Sequence, residues 1–363
     1  MIKRFFVIGF LGIGFFGAAA VFGKSTSPVV KSEFIFTRNL PGTPFAHAPT
    51  IAETSDGFVV AWFGGTREKN PDTKIFISRF ERSLNRWAIP ATVAEGSDKG
   101  GPTACWNPVL FPQKNGPLFL FYKTGKNPES WKGMFKVSLD GGRTWGMANY
   151  LPEGILGPVK NKPIELDDGT ILCPSSTESS DGWKIFIERV RPRSTGDFLL
   201  KNKWSINGPL NDRSLPVIQP TLLNFGRGRI LLLSRNKQPK ASRIQSIMES
   251  VSTDNGLSWS PLKRSALPNP NSGIDAVTLK DGRCILVYNP TCTKRTPLAA
   301  AISTDQGKTW VQCLELENGP GEYSYPSVIQ ANDGIIHIVY TWQRRKIKHV
   351  VLDPGLIRPL SGY

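Results

Sequence analysis

The sequence predicts an all-β protein: a six-bladed β-propeller of four-stranded antiparallel blades, preceded by an N-terminal signal or anchor segment. Three observations predict it. The phrase S-x-D-x-G-x-[ST]-W occurs three times, at Ser138 to Trp145, Ser252 to Trp259 and Ser303 to Trp310. Five tryptophans (Trp87, Trp145, Trp204, Trp259 and Trp310) follow one another at intervals of 58, 59, 55 and 51 residues. Between them a second pattern recurs six times: a residue pair usually ending in proline, a strand, a glycine turn and a very apolar strand. A step of about 50–60 residues is the size of one four-stranded blade.

Each copy of the phrase follows a short apolar run, so a strand ends at its serine. The aspartate accepts from nearby backbone N–H groups, the glycine tolerates positive φ, and the tryptophan covers the turn as the next strand begins. The phrase reads as a hairpin staple and demands no chemistry. The second pattern begins at Ala48-Pro49, Asn107-Pro108, Lys162-Pro163, Gln219-Pro220, Asp275-Ala276 and Tyr325-Pro326. Six copies imply six blades, the last closing against a strand near Glu33 to Arg38, because closure removes exposed edges.

The chain opens Met1-Ile2-Lys3-Arg4 and runs uncharged from Phe5 to Gly23. A cationic start before an apolar run ending in small residues is the pattern of an export signal, and the run is also long enough for an uncleaved anchor. Export is the favoured reading, with cleavage and membrane attachment through residues 5–23 left open. Residues 1–23 are thus signal peptide or anchor, 24–32 linker and 33–363 propeller. The propeller is expected outside the cytoplasm, periplasmic, secreted or membrane-anchored.

The five cysteines are scattered without CxxC or Cys/His clustering, so a zinc site is not expected. No metal or cofactor is needed by the reading below, with calcium at the aspartate-rich loops left open. Cys284 and Cys292 could pair across a hairpin, with buried free thiols the alternative. Taking Lys3 and Arg4 of the leader from the formal net charge of +16 leaves +14. A basic surface suits polyanions. No nucleic-acid-binding motif accompanies it, so an acidic glycan or glycoconjugate is the expected partner, met by a monomer.

In a propeller the innermost strands line the axis, and equivalent positions form rings. One ring, at or beside the recurring proline pair, holds His47, Asn107, Lys162, Gln219, Asp275 and Tyr325. A second, seven residues after the recurring glycine, holds Lys123, Ser176, Arg235, Asn289 and Thr341. Two aligned polar rings predict a polar, mainly cationic axial pocket. Substrate-binding residues are expected among Asn107, Lys123, Lys162, Asp275 and Asn289.

The S-x-D-x-G-x-[ST]-W phrase resembles the Asp-box, or BNR repeat, of the sialidase superfamily. The resemblance spans nearly the whole chain after the leader. It implies three arginines that hold a substrate carboxylate. The first would stand where this chain has His47-Ala48-Pro49 and is lost; the other two are similar to Arg235 and Arg295. The resemblance makes Tyr325 the nucleophile, puts Gln219 where the family has its glutamate base, and gives Asp72 as general acid beside Arg67. His47 offers another acid or base near Tyr325. Three functions follow: a sialidase-like hydrolase of terminal acidic sugars, a non-sialic glycosidase or uronic-acid lyase using His47 and Tyr325, and a non-catalytic glycan-binding or assembly propeller.

Overall fold

The structure is a computed structural model that describes residues 27–38, 41–237 and 245–359. It is a six-bladed propeller of antiparallel four-stranded blades. The innermost strands of the blades, in order, are Phe45–Thr54, Cys105–Pro112, Ile164–Glu165, Val217–Asn224, Asp275–Thr278 and Tyr323–Gln330. Their second strands are Gly57–Gly65, Leu118–Thr124, Ile171–Ser179, Ile230–Asn236, Cys284–Tyr288 and Ile336–Trp342. Only short 3-10 helices interrupt the sheets among the described residues. None is long and apolar enough to cross a membrane. The leader expected over residues 1–23 lies outside the described residues.

The last blade is completed by the start of the chain. Strand Val29–Phe34 pairs antiparallel with Lys346–Leu352, with Glu33 opposite His349. Ile35 extends the ladder through its N–H to the Ile347 carbonyl at 3.0 Å. The closing strand therefore begins four residues before Glu33, and takes Val29–Ser32 from the stretch read as linker.

Each blade is apolar on both faces, because each face packs against a neighbour. Val59, Ala61 and Phe63 turn toward the second blade, whereas Phe58, Val60 and Trp62 turn toward the sixth. This period-2 division repeats around the ring and gives six interblade cores. It explains why the second strands read as unbroken apolar runs rather than as alternating ones.

The three recurring phrases form the expected staples. In the first, Ser138 Oγ donates to Asp140 Oδ1 at 2.8 Å and accepts from the Gly142 N–H at 2.7 Å. Asp140 also accepts from the Thr144 N–H and hydroxyl at 2.8 and 2.6 Å. The other two copies repeat these bonds. The phrase glycine is needed twice over. Gly307 has φ 78°, and a Cβ there would lie 2.3 Å from Leu231 of the preceding blade. Trp145, Trp259 and Trp310 each pack onto the core shared with that preceding blade. The five cysteines are all free, four of them buried, so Cys284 and Cys292 do not pair.

Candidate active site

Four innermost strands carry the same irregularity. At Ala48-Pro49, Asn107-Pro108, Gln219-Pro220 and Tyr325-Pro326 the ladder to the second strand slips, and the residue before proline takes φ of 49°, 40°, 55° and 54°. Proline removes a ladder donor, so a bulge is where a strand can accept it. A bulge re-aims the side chain at its apex. Asn107, Gln219 and Tyr325 thereby line one axial cavity of about 300 Å³. The fourth apex is Ala48; His47 enters the cavity from the position before it.

The second polar ring proves to be a set of clasps between consecutive blades. Lys123 Nζ donates to the Pro158 carbonyl at 2.9 Å, Ser176 Oγ accepts from the Gln219 N–H at 3.2 Å, and Arg235 donates to the Asn271 carbonyl at 3.1 Å. Asn289 donates to the Tyr323 carbonyl at 2.9 Å, and Thr341 Oγ1 accepts from the Ala48 N–H at 2.9 Å. Each residue thus ties its blade to the next one. Only Arg235 of this ring also lines the cavity. Lys123 and Asn289, expected to bind substrate, spend their donors within the clasp region and are wholly buried. Burial pushes the Lys123 ammonium down to about 7, with Glu188 opposing the shift.

Lys162 and Asp275 are likewise outside the cavity. They form an axial ion pair at 2.7 Å, and Asp275 further accepts from Thr221 and the Val328 N–H at 2.8 and 2.9 Å. A second axial lysine, Lys160, was passed over by sequence reasoning. Its ammonium donates to Asn161 and to the Ile274 and Pro326 carbonyls at 2.8, 2.6 and 2.5 Å, bracing three blades beneath Tyr325. The chain passes tightly here: a Cβ on Gly273 would lie 3.2 Å from Tyr325 Cγ and 3.3 Å from Lys160 Cε.

Three arginines surround the tyrosine. The Arg235 and Arg295 guanidinium carbons lie 5.3 and 5.5 Å from the Tyr325 ring centroid. Both arginines donate to the one Asn271 carbonyl, at 3.1 and 3.3 Å, which holds two like charges side by side. Arg344 is the third cavity-lining arginine, from the hairpin turn of the last blade. It donates to Glu322 at 3.0 Å and to Glu68 at 2.6 Å, while Arg295 donates to the other Glu322 oxygen at 2.8 Å. Burial favours the neutral form of Glu322, but Arg295 and Arg344 prevail and hold its carboxyl below the usual range. Among the described residues Arg235 has no carboxylate partner.

His47 lies against Tyr325, ring centroids 4.3 Å apart, and its Nδ1 is buried without a partner among the described residues. Burial and then the charges of Arg344, Arg295, Arg235 and Lys160 push its pKa well below the ordinary histidine value, which favours the neutral imidazole. Trp131 Nε1, Gln219 Oε1, Arg235 Nε and Asn271 Oδ1 are likewise buried without partners among the described residues. These five atoms all belong to residues that line the cavity.

Asp72 and Arg67 do not reach this cavity. Both Asp72 oxygens accept from Thr66, through its N–H and hydroxyl at 3.0 Å each, so Asp72 pins its own loop. Arg67 is exposed, and the loop contributes Glu68 and Lys69 instead. Glu178 and Trp183, facing each other across the hairpin of the third blade, complete the wall. Among the described residues no group of three or more His, Cys, Asp or Glu side chains is arranged to hold a metal ion.

The BNR repeat-like domain family matches residues 56–338, more than half of the sequence. The chain belongs to that family. A curated sialidase of Micromonospora viridifaciens is 28% identical over 153 residues, 42% of this chain and 22% of that protein. The match thus spans about a fifth of the relative's length. A protein of unknown function from Dyadobacter fermentans superposes with TM-score 0.71 at 16% identity, over 91% of this chain and 99% of that one. A Hadza microbial sialidase superposes with TM-score 0.72 at 15% identity, over 87% and 67%. An α-L-arabinanase of Penicillium chrysogenum gives TM-score 0.66 at 16% identity, over 91% and 99%. These structural likenesses are of fold, and each is to a propeller of the same kind as this BNR repeat-like chain.

Proposed function

We propose that this BNR repeat-like protein is a glycosidase that hydrolyses a terminal acidic sugar from glycans, with the sugar carboxylate held in the axial cavity. The observation that carries this reading is the convergence of Arg235, Arg295 and Arg344 around Tyr325, with Arg235 lacking a carboxylate partner among the described residues. Guanidinium groups suit planar, bidentate carboxylate recognition. An incoming carboxylate satisfies Arg235 and competes with Glu322 for Arg295. The sialidase names of relatives support the substrate class, and the expected export would put the cavity where acidic glycans occur.

Tyr325 is the nucleophile and His47 its proton acceptor. The cations around His47 disfavour imidazolium, and a bound carboxylate offsets them. Substrate binding therefore makes His47 a better base when the phenol must lose its proton. Gln219, being neutral, serves as a hydrogen-bond partner rather than a base.

The test is turnover of a panel of aryl glycosides of acidic sugars. Hydrolysis by the wild type, abolished in Tyr325→Phe and weakened in KM by Arg235→Ala for acidic but not neutral glycosides, is the expected result. Equal losses on acidic and neutral ligands would sink the carboxylate assignment. The neutral His47 beside Tyr325 also suits β-elimination next to a uronic acid, and an unsaturated product absorbing in the ultraviolet would select that second reading.

A further inference from the structure

Beside the axial cavity lies a groove of about 770 Å³ between the second and third blades. Pro128, Trp131 and Glu178 line both spaces. The groove has the surface a sugar chain needs: the half-exposed Tyr150, the partly exposed Phe186, and charged groups such as Lys184 at its margin. Aromatic faces take the C–H faces of sugars, and the polar groups take hydroxyls.

A bond cleaved between a sugar in the axial cavity and a chain in the groove must lie where the two spaces meet. We propose that the groove holds the leaving-group sugars of an extended glycan, and that Glu178 at the junction is the general acid that protonates the departing oxygen. This rests on the hydrolase reading above. In the first step Tyr325 passes its phenol proton to His47 and its oxygen bonds to the anomeric carbon while the glycosidic bond breaks, and the proton of Glu178 goes to the leaving oxygen. In the second, Glu178 carboxylate takes a proton from water, whose oxygen displaces Tyr325, and the phenolate regains its proton from His47.

The local structure fits that role. Glu178 sits at the tip of the third blade's hairpin opposite Trp183, and the adjoining Ser180 N–H donates to Glu129 at 3.4 Å, tying the hairpin to the groove's far wall. Its carboxyl makes no side-chain hydrogen bond among the described residues. Burial raises its pKa, opposed by Arg235 and reinforced by Glu68, which favours the protonated form an acid requires. Asp72, the acid suggested by the family resemblance, has both oxygens occupied by Thr66 and touches neither space.

The experiment compares Glu178→Gln with wild type on two substrates sharing one terminal acidic sugar: a 4-nitrophenyl glycoside, whose leaving group needs no protonation, and an oligosaccharide. The expected result is a loss of about 10²–10⁴-fold in kcat/KM on the oligosaccharide, less than about 10-fold on the aryl glycoside, and restoration of aryl turnover by added azide. Tyr150→Ala should raise KM for the oligosaccharide alone. Equal losses on both substrates, or no azide rescue, would overturn the acid assignment. An oligosaccharide KM indifferent to Tyr150 would overturn the groove. Failure of the wild type to cleave either substrate would overturn the hydrolase reading and this inference with it.

Discussion

Acidification should loosen the ring at its closure. There His337 Nδ1 and His349 Nε2 share a hydrogen bond of 2.9 Å, and His349 Nδ1 faces Glu33 of the closing strand at 3.3 Å. Phe58 covers His337, with ring centroids 4.0 Å apart. Burial, then the neighbouring His349 and Arg82, lower the His337 pKa from 6.5 to about 3, with Asp333 opposing. Below 6.5 the unfolded chain takes up a proton that folded His337 refuses until about 3, so stability falls as pH falls through that window. At ~1.4 kcal/mol per pKa unit, His337 alone removes about 2 kcal/mol between about pH 7.5 and about pH 5. His349, also lowered by burial, acts in the same direction, though its bond to Glu33 opposes the shift. Burial would raise Glu33, but hydrogen bonds from His349, Lys31 and Trp87 outweigh it and hold the carboxyl at about 2, so its own loss comes below 4.5. His337→Gln keeps a hydrogen-bonding group and removes the titration. Urea unfolding of both proteins at the two pH values should show the wild type losing about 2 kcal/mol more than the variant. Equal losses would refute the assignment of acid sensitivity to this pair.

Other expectations follow from the same geometry. Arg344→Ala should weaken an acidic ligand by about 10- to 100-fold and leave a neutral analogue unchanged, as titration calorimetry would register; Glu322, freed from Arg344, then competes more fully for Arg295. Asp305→Ala removes the acceptor of the Ser303 and Thr309 bonds, and should lower Tm in a scanning experiment without altering ligand affinity, because the phrase lies away from the cavity. A thiol reagent should label Cys292 in the native protein and the other four only after denaturation, the buried thiol of Cys105, for example, being pushed up to about 12. Rapid labelling of all five in the native state would contradict the packing.

Much of this architecture was legible because it is periodic. The recurring phrases and proline pairs give the blade count, and the same period picks out the polar residues at the strand ends. Their roles were less legible. Lys123 and Asn289 have the same polar character as Arg235, and only the path of the following blade shows that their donors are spent on Pro158 and Tyr323. Arg344 was missed because the family pattern looks for an arginine at the first blade. Here it comes from the far end of the chain, through a turn in which Gln343 and Arg344 both take positive φ, 52° and 53°. Such a turn usually advertises itself with Asn-Gly, and Gln-Arg gives no such signal. Glu178 was hidden for a related reason: it lies two residues beyond the second ring, where a hairpin tip reads as plain surface.

The four bulges separate the placing of a side chain from its chemistry. Alanine, asparagine, glutamine and tyrosine occupy equivalent apices with φ values within 40° to 55°. The backbone and its proline set the address, and the side chain is the cargo. Ala48 is then an address carrying almost nothing, sited beside His47 and clasped by Thr341. Because Ala48 already holds the left-handed conformation, the backbone strain of that position is met before any larger residue arrives. A larger apolar side chain installed there would press into the core that Ala48 shares with Tyr325 without a new backbone path, which makes Ala48 a point from which the cavity could be reshaped from behind.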